Sequence, residues 1–175
     1  MSAKGRSLPW LHALTQDEAR SELLRCCGSS RWASAMADRR PFDDVPSLLA
    51  QGDAVWASLD REDWLEAFAA HPRIGSKRDV AAQSPETRAW AEGEQAGADA
   101  AADDTRRALQ VENDAYGAKF GYIFIVCATG KSAEEMLALC RARLANSPEK
   151  ELPIAAEEQR KITRLRLEKL VAQSS

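Results

Sequence analysis

The sequence predicts an all-α protein, and three observations carry that prediction. Apolar residues recur at helical spacing along most of the chain. Helix start signals precede those stretches, two of them with capping-box spacing: Thr15 with Glu18, and Ser132 with Glu135. The one β-like run, Ile123-Phe124-Ile125-Val126-Cys127, has no second strand to pair with, so a buried extended or helical segment is expected there.

In chain order, the Thr15 box leads into Ala19, Leu23 and Leu24, and Gly28 is expected to close that helix. A short helix follows around Arg31 to Arg39, stopped by Pro41. Ser47 to Ser58 is a third, with Leu48, Leu49, Val55 and Trp56 apolar. Asp60 then caps a helix that runs to His71-Pro72, because a proline disfavours the α region in the residue before it. Ser84-Pro85 reads as an N-cap with proline at the first helical position, opening a helix that carries Trp90, Glu94 and Gln95. The alanine- and aspartate-rich stretch from Ala96 to Asp104 reads as a weak helix end and a loop. Thr105 to Lys119 is helical, with Ala108, Val111, Ala115 and Tyr116 assigned to its inner side. Ser132 opens a helix through Met136, Leu137, Leu139 and Cys140, and the last helix runs from near Pro148 to about Val171. No linker rich in Pro, Gly or Ser separates two apolar patterns, so residues 1–175 are read as a single domain.

Composition narrows the function. With 24 basic and 27 acidic residues the net charge is −3, and the basic clusters are interleaved with acids or lie on helices. Nothing marks a nucleic-acid or membrane surface. The longest apolar run, Tyr122 to Ala128, is far short of the roughly 20 residues a spanning helix needs. The first residues show no apolar signal-peptide region, and Ala172-Gln173-Ser174-Ser175 is no peroxisomal address. Four cysteines without a Cys-x-x-Cys pair, and only two histidines, do not make a typical zinc site. Reduced, buried thiols in a cytoplasmic protein are the expectation.

Ala128-Thr129-Gly130-Lys131-Ser132 imitates the end of a phosphate-binding loop. That motif needs a glycine five positions before Gly130, where this chain has Ile125, so a tight turn into a capping box explains it better.

His71 is the leading candidate for chemistry. Trp64, Phe68 and His71 fall within about 60° of one another at about 100° per residue, on the stripe facing inward. Its unperturbed pKa of about 6.5 allows proton transfer near neutrality, although a capping or core histidine has the same pattern. Glu94 lies about 40° round the helix from Trp90, and a carboxylate beside apolar surface needs a cation or donor. An exposed Glu94 on a helix that happens to carry a tryptophan remains the alternative. In the last helix Ala155, Gln159, Ile162, Leu165 and Leu170 mark the inward stripe. Arg166 falls about 40° from Ile162, Lys169 about 20° on the other side, and Arg164 about 200° away. A buried Arg166 requires an acceptor, either Glu94 in a structural pair or a ligand carboxylate. Together His71, Glu94, Gln95 and Arg166 suit a small polar anion with a transferable proton, and the pattern does not name it.

Six segments resemble the 2-oxo-4-hydroxy-4-carboxy-5-ureidoimidazoline (OHCU) decarboxylase family. They are Arg40-Pro41-Phe42, His71-Pro72-Arg73-Ile74-Gly75, Glu94-Gln95-Ala96-Gly97-Ala98, Asn113-Asp114-Ala115-Tyr116, Lys119-Phe120-Gly121-Tyr122-Ile123-Phe124-Ile125 and Lys161-Ile162-Thr163-Arg164-Leu165-Arg166-Leu167. They occur in the family's order over nearly the whole chain. The resemblance implies a compact bundle of about eight helices, usually a homodimer, with no metal or organic cofactor. The reaction it implies is decarboxylation of OHCU to (S)-allantoin in urate degradation.

It places the catalytic histidine at His71, with Glu94 beside it in the chemistry and a substrate contact at Pro72. The substrate-binding Ser-x-x-Glu-Gln segment falls on Ala91, Glu92, Gly93, Glu94 and Gln95. The main-chain contacts fall on Phe124, Ile125, Val126, Cys127 and Ala128, and the family's arginine on Arg166. Ala91 stands where the family has serine, and Ile123 where proline is frequent. Two rivals remain at this point: a non-enzymatic helical dimerisation module, and a metal-free hydrolase of a related ureido or hydantoin compound.

Overall fold

A computed structural model describes residues 7–72 and 103–172. They form eight helices and, among the described residues, no strand. In order these are α1 (Leu8–Ala13), α2 (Gln16–Leu24), α3 (Ser30–Asp38), α4 (Val45–Ser58), α5 (Arg61–Ala69), α6 (Asp103–Phe120), α7 (Ala133–Leu144) and α8 (Pro148–Val171). The all-α expectation holds. The chain divides into two compact units, residues 1–67 with 160–175 and residues 68–159.

In the first unit α3 packs against both α2 and α4. Both halves of the Thr15–Glu18 capping box are present on α2. That helix stops at Leu24, four residues before the expected Gly28, and the backbone N–H groups of Cys26 and Cys27 both donate to Leu23 O. Turning there sends both cysteines fully into the core, which ends the helix without glycine. Helix α4 begins at Val45, because Asp44 accepts from Ser47 N and Pro46 occupies the first turn. Helix α1 was not expected from the sequence; Ser7 caps it and Pro9 sits in its first turn. Six residues are too few to show a period. The core gathers Leu11, Leu23, Trp32, Met36, Leu48, Val55, Trp56 and Leu167. Trp32 Nε1 donates to Gly52 O at 3.0 Å, and a Cβ on Gly52 would lie 3.2 Å from Leu167 Cδ1, so a larger residue there would make the Leu167 side chain give by a few tenths of an ångström.

Arg40 ties the start of the chain to this core. Its guanidinium donates to Leu11 O and Leu14 O at 2.8 Å and to Ala37 O at 3.0 Å, satisfying carbonyls at two helix ends. His12 Nε2 accepts from Phe42 N at 2.9 Å, and the peptide bond between Arg40 and Pro41 is cis.

In the second unit α6 and α7 pack together. Helix α6 already includes Asp103 and Asp104, expected as loop; both carboxylates lie at its positive end. Its buried side is Leu109, Asn113, Tyr116 and Phe120, whereas Val111, assigned inward from sequence, is 63% exposed. Asn113 misleads the pattern: its Nδ2 donates to Leu109 O at 2.8 Å, so a polar residue occupies a core position at little cost. Gly121, at φ +83°, takes the left-handed conformation that ends α6, and its N–H returns to Gly117 O at 2.9 Å. Residues 123–128 then run without regular secondary structure, with 124–128 buried. A second positive-φ glycine, Gly130 (+78°), turns the chain into the Ser132–Glu135 capping box of α7.

Candidate active site

His71 stands just past the end of α5. Asp63 N donates to the side chain of Asp60 at 3.3 Å, fixing the start of this helix as the sequence implied. At the other end His71 N donates to Phe68 O at 3.2 Å while Phe68 and Pro72 are buried. The ring is half-buried, and its Nε2 lies 2.5 Å from Gln159 Oε1 on α8. Gln159 is fully buried.

The preceding residue of α8, Glu158, accepts a hydrogen bond from Cys127 N at 3.3 Å. Consecutive residues of one helix therefore hold the candidate imidazole and the 124–128 segment. Two cations also fix that segment: Arg143 Nη1 donates to Ile125 O at 2.6 Å, and Lys131 Nζ donates to Cys127 O at 2.7 Å. Lys131 thus holds a backbone carbonyl, a structural use for the phosphate-loop imitation.

Arg143 belongs to a buried network. Its Nε donates to Glu151 Oε1 at 2.6 Å, and Tyr116 Oη donates to the same oxygen at 2.6 Å. Asn146 Nδ2 reaches Glu151 Oε2 at 2.9 Å. Burial, and then the hydrogen bond to Glu151, push the Tyr116 phenol above its ordinary range, so it stays a donor. The Arg143 guanidinium also lies 4.6 Å from the centre of the Phe124 ring.

Arg166 lies in the first unit. It is 6% exposed, whereas the Arg164 side chain is 36% exposed and donates to Asp53 Oδ2 at 2.6 Å. The helical phase assigned from sequence is therefore the observed one. Arg166 Nη1 reaches Arg25 O at 3.4 Å, and its charge bears on Cys26 and Cys27. Burial pushes both thiols up to about 12, with Arg166 pulling in the opposite direction, so neither is a nucleophile at neutral pH. All four cysteines are free and buried.

Ala91, Glu92, Gly93, Glu94 and Gln95 lie outside the described residues. The sequence reading missed Gln159 as a partner of His71, and missed Glu158, Arg143 and Lys131 as anchors of residues 124–128. One signal was available. A glutamine in the middle of an apolar stripe must find a hydrogen bond.

A histidine joined to a buried amide, near the end of a helix, can exchange a proton with a bound molecule. Buried backbone held by three ionisable side chains can present fixed peptide groups. The family model for OHCU decarboxylase matches residues 12–168. The chain belongs to the OHCU decarboxylase family. Among relatives of this family, the uric acid degradation bifunctional protein TTL of Arabidopsis thaliana is 37% identical over 145 residues, which is 83% of this chain. The chain spans 45% of that relative's length. A crystal structure of OHCU decarboxylase in the presence of (S)-allantoin matches with a TM-score of 0.74 and 35% identity, covering 86% of this chain and 97% of that one. An (S)-allantoin synthase crystal structure, 20% identical, shares the fold with a TM-score of 0.70 over 94% of this chain and 53% of its own.

Proposed function

We propose that the protein decarboxylates OHCU to (S)-allantoin without a metal or organic cofactor. The observation that supports this most is the family match, which extends over residues 12–168 and so includes segments of both compact units. It also supports treating both units as one OHCU decarboxylase-like domain.

In this reading the bond from the hydroxyl-bearing ring carbon to the carboxylate breaks, and its electron pair moves into the neighbouring C=N. The nitrogen takes up one proton as CO₂ leaves. The hydroxyl proton is then given up as that carbon becomes a carbonyl, and a proton is added to one face of the adjacent carbon. His71 is the general acid/base, with Glu94 beside it. Pro72, Ala91, Glu92, Gly93 and Gln95 contact the substrate, as does the backbone of residues 124–128. Arg166 holds an anionic oxygen. A homodimer in the cytoplasm completes the proposal. The four free cysteines are consistent with a reducing compartment, and no described helix is long and apolar enough to cross a membrane.

The decisive experiment supplies OHCU freshly made by urate oxidase and hydroxyisourate hydrolase and follows allantoin by circular dichroism. Spontaneous decay gives a racemate, whereas faces distinguished by about 2.7 kcal/mol give about 100 to 1. The wild-type protein is expected to give a strong (S)-allantoin signal that EDTA does not reduce, and folded His71→Asn roughly 10²-fold less turnover. Faster substrate loss with a racemic product, or full turnover by His71→Asn, overturns the proposal.

A further inference from the structure

We propose that Gln159 is a positioning residue for His71, holding the imidazole with its proton on Nε2 and its acceptor lone pair on Nδ1. This rests on the decarboxylase reading for its catalytic consequence; the tautomer itself is a property of the folded chain.

The geometry is specific. Gln159 is fully buried in α8, and its Oε1 lies 2.5 Å from His71 Nε2, across 88 residues of sequence. A buried amide is costly unless its polar atoms are bonded, so this contact is one the fold must make. A carbonyl oxygen only accepts, and the ring nitrogen facing it must therefore carry hydrogen. The backbone of His71 is fixed separately, by its N–H to Phe68 O and by the buried Pro72 that follows. With backbone and ring both anchored, the imidazole cannot turn about χ1 and χ2 without breaking the Gln159 contact. Nδ1 is then the nitrogen able to take and return a proton.

A neutral amide differs here from the carboxylate that often orients a catalytic histidine. A carboxylate at that distance would stabilise the imidazolium, whereas an amide orients the ring without fixing its charge. The acid next to it in sequence, Glu158, is directed to Cys127 N, so the two neighbours on α8 divide the work. One orients an acid/base group, and the other anchors backbone.

The full chain contains only two histidines, His12 and His71, so selective ¹⁵N-histidine labelling gives a spectrum that a His12→Gln variant assigns. At about pH 9, where an ordinary imidazole is neutral, the wild type is expected to show the His71 proton on Nε2 and an unprotonated Nδ1. Gln159→Leu should lose the protected N–H signal and lower kcat by about tenfold or more, with KM within about twofold. Gln159→Glu, which keeps an acceptor, should retain the Nε2–H form at that pH. A wild-type proton on Nδ1 overturns the inference, as does a folded Gln159→Leu with unchanged kcat and N–H signal. Should Gln159→Leu fail to fold, the wild-type and Gln159→Glu spectra still decide. The expected tautomer in a protein that never turns over OHCU supports the positioning role and removes the decarboxylase reading.

Discussion

Replacing Arg143 with methionine tests the part of the structure on which the 124–128 segment depends. The substitution roughly preserves the length of the stem and deletes the charge. Among the described residues it leaves the fully buried Glu151 carboxylate with Tyr116 and Asn146 as side-chain donors, and it frees Ile125 O from its 2.6 Å contact. Breaking a buried pair by removing one partner costs about 3–5 kcal/mol, most of it from the uncompensated charge. An unsatisfied buried carbonyl adds about 1–3 kcal/mol when taken alone, and loss of the cation above Phe124 about 1 kcal/mol. These contributions share one site and do not add fully, so Arg143→Met should cost about 4 kcal/mol. Adding Glu151→Gln keeps an acceptor for Tyr116 while removing the stranded charge, and should recover roughly half. Urea unfolding followed by far-ultraviolet circular dichroism measures both. A single variant within about 1 kcal/mol of wild type, or a double variant no more stable than the single, would refute the reasoning.

Two further outcomes follow from the same structure. If Arg166 holds a substrate oxygen as proposed, Arg166→Lys should impair turnover of OHCU, because an ammonium cannot reproduce the planar fork of a guanidinium, whereas Arg164→Lys keeps its partly exposed pairing with Asp53 and should be nearly silent; equal effects would show that the helical phase does not set the function. His12 is held below the usual histidine range, first by burial and then by Arg40. The native state therefore favours the neutral ring that accepts from Phe42 N, and this stabilisation is present above about pH 6.5 and is lost as pH falls through the folded value. His12→Gln should flatten that part of the Tm-against-pH curve, and superimposable slopes in the two proteins would refute the assignment.

Most of the fold was legible in the sequence because helix boundaries are local chemistry. Thr15 with Glu18 and Ser132 with Glu135 cap their helices as the spacing implies, and Pro72 stands where α5 has ended. What failed was part of the inside-outside assignment of α6: Tyr116 is buried as assigned, but Val111 and Ala115 are exposed. Reading Val111 inward follows polarity, but Asn113, left out of that assignment, satisfies its amide against its own helix and so enters the core. Polarity predicts exposure only where no bond is available nearby. The same limit hid the partners of residues 124–128, because their distance in sequence gives no periodic signal. Arg143 meets Ile125 across 18 residues, and Glu158 meets Cys127 across 31.

Legibility of the candidate site divides along the same line. The phase of α8 separates Arg166 from Arg164 correctly, since one helix carries that information by itself. It also put Gln159 on the inward stripe, but the stripe says only that the amide needs a partner, and not that the partner is His71. Polar residues on apolar stripes are where a single sequence stops short of a site. Each one states a demand whose answer lies elsewhere in the chain. Among the buried polar residues of α6 and α8, Asn113 finds its answer four residues away in its own helix, whereas Gln159 and Arg166 reach outside theirs. In the proposed reading the demand met at long range by Gln159 is the one that couples folding to chemistry, because forming α8 in its place also brings the amide to the imidazole.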